Sequence, residues 1–185
     1  MKINFMITSK LAKQLCIDMT YSSHTSNNNS HDDLLTDWFG DIFEYGGIIA
    51  VVCVHIQTKI TIIIPVMVEN NPTNICYELA LSVQDFLSNI GYSRLSAITF
   101  ITMSSPKNYF FLKNTNNPLS SHITTIKRIL RDIISEHLIF GTNECLKTMK
   151  IWNNRPIKQH QFQTPIELIH GLFFSKKDAG KLNFH

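Results

Sequence analysis

Charge is sparse in this chain: Asp, Glu, Lys and Arg make up 17% of 185 residues while hydrophobic residues make up 44%. That balance supplies apolar surface for a core and lacks the charge-rich, apolar-poor signature of a disordered segment. Cysteine is spread thinly. Cys16, Cys53, Cys76 and Cys145 form no C-x-x-C pair, which argues against a disulfide framework or a zinc knuckle. A glycine-rich phosphate loop is missing too. Gly46-Gly47 precedes an apolar, strand-like run rather than a helix, so it reads as a turn. His24 and His31, and His160 and His170, follow no H-E-x-x-H spacing, and no metal or cofactor is expected. The longest apolar stretch, 48–68, is broken by His55, Gln57, Thr58 and Lys59, and its β-branched content favours sheet over a membrane helix. The N-terminal segment lacks the length and cleavage site of a signal peptide. A cytoplasmic protein with no membrane partner is the expectation.

What is present is a pattern of short strands and amphipathic helices. Residues 48–56 and 60–68 are rich in Ile and Val, with only Gln57-Thr58-Lys59 between them. So short a link makes a β-hairpin and is too short for a parallel crossover. Ile3, Phe5 and Ile7 alternate with polar neighbours as a short strand. Thr8 or Ser9 then caps a helix carrying Leu11, Leu15 and Cys16. Residues 20–33 are almost free of apolar side chains and read as a surface loop. After Pro72-Thr73-Asn74, the series Cys76, Leu79, Ala80, Val83, Phe86, Leu87 and Ile90 predicts a helix stopped by Gly91. Residues 97–103 and 109–112 read as strands. Ile123, Ile126, Ile129, Leu130, Ile133, Ile134 and Leu138 predict a second helix ending at Gly141. The chain then reads as irregular until Thr164-Pro165-Ile166-Glu167, a capping box with proline in the first helical position, and as frayed after Ser175. The expected architecture is α+β, in one domain over 1–174 with a basic tail over 175–185. A mostly antiparallel sheet is built on the central hairpin, two main helices cover one of its faces, and a short C-terminal helix follows.

Several of these segments resemble a bacterial family of unknown function. Thr8-Ser9-Lys10-Leu11 with Leu15 is similar to its T-x-K-L start. Asp37-Trp38 with Ile42 resembles its W-x-x-x-L segment, and Thr58 the threonine of its hairpin. Residues 115–121 are a loose counterpart of a T-x-x-R-S-V-L-G-S-type stretch, without its arginine and glycine. Asn153-Asn154-Arg155-Pro156 and Thr164-Pro165-Ile166-Glu167 echo later motifs. The resemblance spans nearly the whole chain, implies a single domain, and implies no activity.

Three readings of function follow from the residues. Cys53 and His55 lie two apart on one strand, so they share a face, and a thiol beside an imidazole is the minimal Cys/His pair for an enzyme. A buried thiol and a hydrogen-bonded histidine explain them more simply. Trp38 reads as a core anchor, and Asp32, Asp33, Asp37 and Asp41 form an acidic cluster before the hairpin that could hold a hard cation but is explained as well by a solvated loop flanking a strand. From Lys147 onward seven basic residues face two acidic ones, a balance of +5 that leaves −2 for the preceding chain. Trp152 between Lys150 and Arg155, with Lys127, Arg128 and Arg131 of the second helix, is a candidate aromatic-basic surface. The leading expectation is a non-enzymatic interaction module with an unidentified protein partner. Nucleic-acid binding through the same residues is the alternative, and the Cys/His enzyme the third.

Overall fold

A computed structural model describes residues 2–17, 35–65, 71–113, 119–137 and 142–179. The loop expected at 20–33, the glycine stop at 141 and the motif at 115–118 lie outside the described residues. Among the described residues five strands form one mixed sheet: β1 (Ile3–Ile7), β2 (Asp37–Tyr45), β3 (Ile48–His55), β4 (Thr61–Pro65) and β5 (Tyr109–Lys113). Their order is β4-β3-β2-β1-β5. β2 pairs antiparallel with β3 and β3 with β4, whereas β1 runs parallel to both β2 and β5. The fold is α+β, and most of the sheet's residue pairs are antiparallel.

The expected hairpin forms, turning at residues 56–60, but it occupies one edge of the sheet. The middle strand is β2, where the sequence reading had placed an acidic loop. Its carboxylates are accommodated by pairing. Asp37 accepts from Asn4 Nδ2 at 2.7 Å, and Asp41 accepts from the Thr8 hydroxyl at 2.8 Å and from Lys127 at 2.5 Å. Gly46 and Gly47 join β2 to β3 with φ of +58° and +79°, the left-handed pair of a two-residue hairpin turn that glycine adopts without strain. Gly40 on β2 has a different purpose. A Cβ there would sit 2.7 Å from the buried Phe5 ring, so only glycine lets β1 and its ring approach.

Among the described residues six helices flank the sheet: α1 (Ser9–Gln14), α2 (Pro72–Asn89), α3 (Ser93–Met103), α4 (Ser120–His137), α5 (Thr142–Asn153) and α6 (Pro165–Ala179). They do not share one face. Ile3, Phe5, Ile7, Trp38, Val51, Cys53, Ile62 and Ile64 pack against Leu11 of α1 and its C-cap Leu15, Leu79, Val83 and Leu87 of α2, and Ile169 of α6. Phe39, Phe43, Ala50, Val52, Val54 and Ile63 pack against Ile123, Ile126, Leu130 and Ile134 of α4 and Cys145 and Trp152 of α5. Period-two alternation on β3 sends odd residues to one layer and even residues to the other, so this strand is buried on both sides and reads as continuously apolar.

Local caps match the expectation where their chemistry is strong. Thr8 caps α1, Asn71 caps α2 with Pro72 in the first turn, and Gly91 follows α2 with φ of +94°. The Thr164 hydroxyl accepts from Glu167 N–H at 3.1 Å while the Glu167 carboxylate accepts from Thr164 N–H at 2.7 Å, the reciprocal pair expected before α6. α6 runs past Ser175 to Ala179. Two further segments differ from the sequence reading. Residues 97–103 form α3, not a strand: Ser96, Thr99 and Met103 are turned inward at helical spacing while Ile98 and Ile101 are exposed. The segment read as irregular contains α5.

Candidate functional site

Cys53 and His55 do share a face of β3, but both are completely buried, 0% and 1% exposed. Burial pushes the Cys53 thiol well above its ordinary range and lowers His55 to about 3. His55 Nδ1 accepts from Thr58 N–H at 3.3 Å and lies 2.8 Å from the Thr58 hydroxyl. A backbone amide can only donate, so Nδ1 is unprotonated and the ring proton sits on Nε2. A thiol without thiolate character beside an imidazole whose basic nitrogen is taken has no means of activation. Trp38 is fully buried, packs against His55 with the rings tilted by 53° and their centroids 5.3 Å apart, and donates to Leu35 C=O at 2.8 Å. His55 and Thr58 thus build the hairpin turn.

The aromatic-basic surface is divided. Trp152 is not a surface ring: it is 5% exposed, part of the core beneath α4, and its Nε1 donates to His122 Nε2 at 3.1 Å. A tryptophan on one face of an amphipathic helix buries against the neighbouring layer, and the missed α5 supplies that face. Lys150 and Arg155 are exposed, and Arg155 lies over the Trp152 ring at 5.6 Å. Lys127 is bound to Asp41, and Arg131 lies over the Tyr45 ring at 5.5 Å. Arg131 is nine residues beyond His122 on α4, about 13 Å along the axis. Arg128 is exposed. The structure therefore places Arg155 with Trp152 and His122, and Lys127 and Arg131 with β2.

α5 carries functions that sequence reasoning missed. β4 is an edge strand, and an exposed edge invites pairing with another chain. Here Asn153, 1% exposed, accepts from Thr61 N–H at 2.9 Å and donates to Thr61 C=O at 3.0 Å, as a neighbouring strand would. Two residues on, Ile63 N–H points to Met149 Sδ at 3.2 Å. Pro65, in the same phase, has no N–H. The outward donors of β4 are thus satisfied or absent. The spacing of Cys145, Thr148, Met149 and Trp152 was the available signal for this helix.

Beside that closed edge a groove of about 720 Å³ runs between α2 and α5. β4 forms its floor, Leu81 and Phe86 one wall, and Leu146 and Met149 the other. Leu146 is 53% exposed. Glu78 and Asp85 stand on the α2 rim, exposed and without an ion pair among the described residues, opposite Lys150.

A second polar cluster surrounds the turn from β3 to β4. Lys59 is half-buried, has φ of +59°, and donates from Nζ to Ile56 C=O. Burial lowers the proton affinity of His55, His122 and His160, His122 to about 4, and the Lys59 ammonium adds to the effect on each. Among the described residues no group of three or more His, Cys, Asp and Glu is placed to hold a metal ion. No helix of the described residues is long and apolar enough to cross a membrane.

The architecture and these sites define an α+β domain with two-sided helix cover, a sealed sheet edge and an adjoining groove. Residues 4–168 match the family described as Domain of unknown function (DUF6933), and the chain belongs to that family. No curated protein matches it.

Proposed function

We propose that this chain is a non-enzymatic protein-interaction module whose docking surface is the groove between α2 and α5. Its occupant is a short segment of another protein carrying apolar side chains and a Lys or Arg. The carrying observation is the combination of exposed Leu146 on one wall with Glu78 and Asp85 on the other, neither of them ion-paired among the described residues. Apolar contact contributes affinity and the carboxylates select a cationic partner. The α2 wall from Glu78 to Asn89 spans about 16 Å at 1.5 Å per residue, the reach of about five extended residues and more than a compact small molecule needs. Strand addition along β4 is disfavoured because Asn153 and Met149 already hold its outward amides.

Selection from a random peptide library against the intact chain tests this reading. Sequences combining apolar residues with Lys or Arg, whose binding is lost in Leu146→Asp and in the double variant Glu78→Lys/Asp85→Lys, are expected. Selected peptides that bind both variants as tightly as the parent chain would overturn it. Binding of nucleic acid that weakens steeply with salt and depends on Arg155 and Arg128 would favour the alternative instead.

A further inference from the structure

The groove between α2 and α5 sets three requirements for an occupant: an extended run of about five residues, apolar side chains for its trough, and a cation for its rim. Its floor is β4, Leu146 is exposed on one wall, and Phe86 and Met149 are half-buried along it. The rim carries the exposed carboxylates of Glu78 and Asp85 against Lys150, a net negative edge.

This chain contains a stretch that meets all three. α6 runs to Ala179, and the sequence continues Gly180-Lys181-Leu182-Asn183-Phe184-His185, outside the described residues. Successive side chains of an extended segment point to opposite sides. Bound in that form, Leu182 and Phe184 give one apolar face, and Lys181, Asn183 and His185 give a polar one. With the apolar pair on the β4 floor, Lys181 lies on the side of the rim that holds Glu78 and Asp85.

Chain geometry decides which copy supplies the segment. Of α6 only Ile166 lines the groove, and the helix then leaves it. Tyr92, two residues past the groove residue Ile90, packs on α6, with its hydroxyl 2.6 Å from His170 Nδ1 and its ring centroid 4.6 Å from that of Phe173. Ala179 stands about 20 Å along the axis from Ile166. Leu182 is three residues beyond Ala179 and Phe184 five, reaches of at most about 11 Å and about 18 Å. In its own chain neither returns to the Ile166 end of the groove. The tail of a neighbouring molecule has no such tether.

We infer that the groove binds residues 181–185 of a second copy of this chain, with Leu182 and Phe184 in the apolar trough and Lys181 at Glu78 and Asp85. Two copies exchanging tails form a closed two-fold pair with both grooves filled. The inference rests on the groove being a docking surface, and names what holds it until a partner's segment displaces the tail.

Sedimentation velocity of the full chain over a concentration series tests this. A monomer–dimer equilibrium is expected, weakened roughly tenfold or more by Glu78→Lys/Asp85→Lys in the groove and by Leu182→Ser/Phe184→Ser in the tail. The sharpest sample is an equimolar mixture of the two variants. Each lacks one half of the contact, and together they keep one intact groove and one intact tail, so a heterodimer should reappear. Misfolding of either variant would not restore it. A library-selected peptide that binds the groove should dissociate the parent dimer. A parent chain that stays monomeric, a dimer indifferent to both variants, or a mixture that stays monomeric would overturn the assignment. Where library peptides still bind a monomeric parent and lose affinity in Leu146→Asp, the groove reading stands and only this occupant is wrong. In such a monomer, tighter peptide binding by Leu182→Ser/Phe184→Ser would put the tail in its own groove instead.

Discussion

Replacing Asn153 with Ala removes both hydrogen bonds that close the β4 edge. The side chain is 1% exposed and engages Thr61 N–H at 2.9 Å and Thr61 C=O at 3.0 Å. Each buried backbone group left without a partner costs about 1–3 kcal/mol, so the pair costs about 2–6 kcal/mol before relaxation. Thr61 is itself 0% exposed, which limits rescue by water and places the expected loss near 3 kcal/mol. At about 2–4 °C per kcal/mol for a chain of this size, Tm should fall by about 6–12 °C. Urea unfolding followed by circular dichroism measures the difference directly. Asn154→Ala is the control: that exposed side chain bonds only the Lys150 carbonyl, and its loss should cost no more than about 0.5 kcal/mol. Asn153→Asp keeps the acceptor for Thr61 N–H but sets a carboxylate oxygen against the Thr61 carbonyl. It should be at least as damaging at neutral pH and milder once acid protonates it. A loss below about 1 kcal/mol in Asn153→Ala would refute the edge-closing role.

Other expectations follow from packing and protonation. Gly40→Ala puts a methyl 2.7 Å from the Phe5 ring and 3.0 Å from Leu11, and overpacking of this kind costs about 1–3 kcal/mol; an unchanged urea midpoint would contradict the close approach of β1 and β2. Native alkylation should modify exposed Cys16 rapidly and spare Cys53 until the chain unfolds; prompt labelling of Cys53 would reopen the Cys/His reading. His55 and His122 are held at about 3 and about 4, below the value of about 6.5 that each has in the unfolded chain. The unfolded state therefore takes up protons first, and stability should be lost progressively as pH falls below about 6.5. Unfolding free energies that stay flat from pH 7 to 5 would contradict this.

Sequence pattern reached the elements whose signals are local. β1 alternates cleanly, α2 and α4 keep helical spacing over many residues, and Thr164 with Glu167 is a reciprocal cap requiring no tertiary information. β2 was hidden by Asp37, Gly40, Asp41 and Glu44, residues that disfavour strands in isolation. Asn4, Thr8 and Lys127, from distant parts of the chain, make two of its acids acceptable. α3 carries the Ile, Thr and Phe of a strand, but packing against α2, with Ser96 bonded to Ser88 at 2.9 Å, overrides that propensity. The candidate residues fared similarly. Lys150 and Arg155 are exposed, while the burial of Trp152 depended on a helix whose polar run, Thr142 to Lys150, obscured its inward face. Lys59 looked like an ordinary turn residue because nothing in its sequence neighbours reveals that its backbone turns through positive φ and its ammonium folds back onto the Ile56 carbonyl.

Amide resonances of the isotopically labelled chain, followed during addition of a library-selected peptide, test the docking surface most directly. The expected shifts cluster at Leu81, Asp85, Leu146 and Met149, with Thr61 and Ile63 retaining their protection from exchange. Shifts confined to β5 or to the Trp152–Arg155 region, with α2 and α5 unaffected along the groove, would contradict the account.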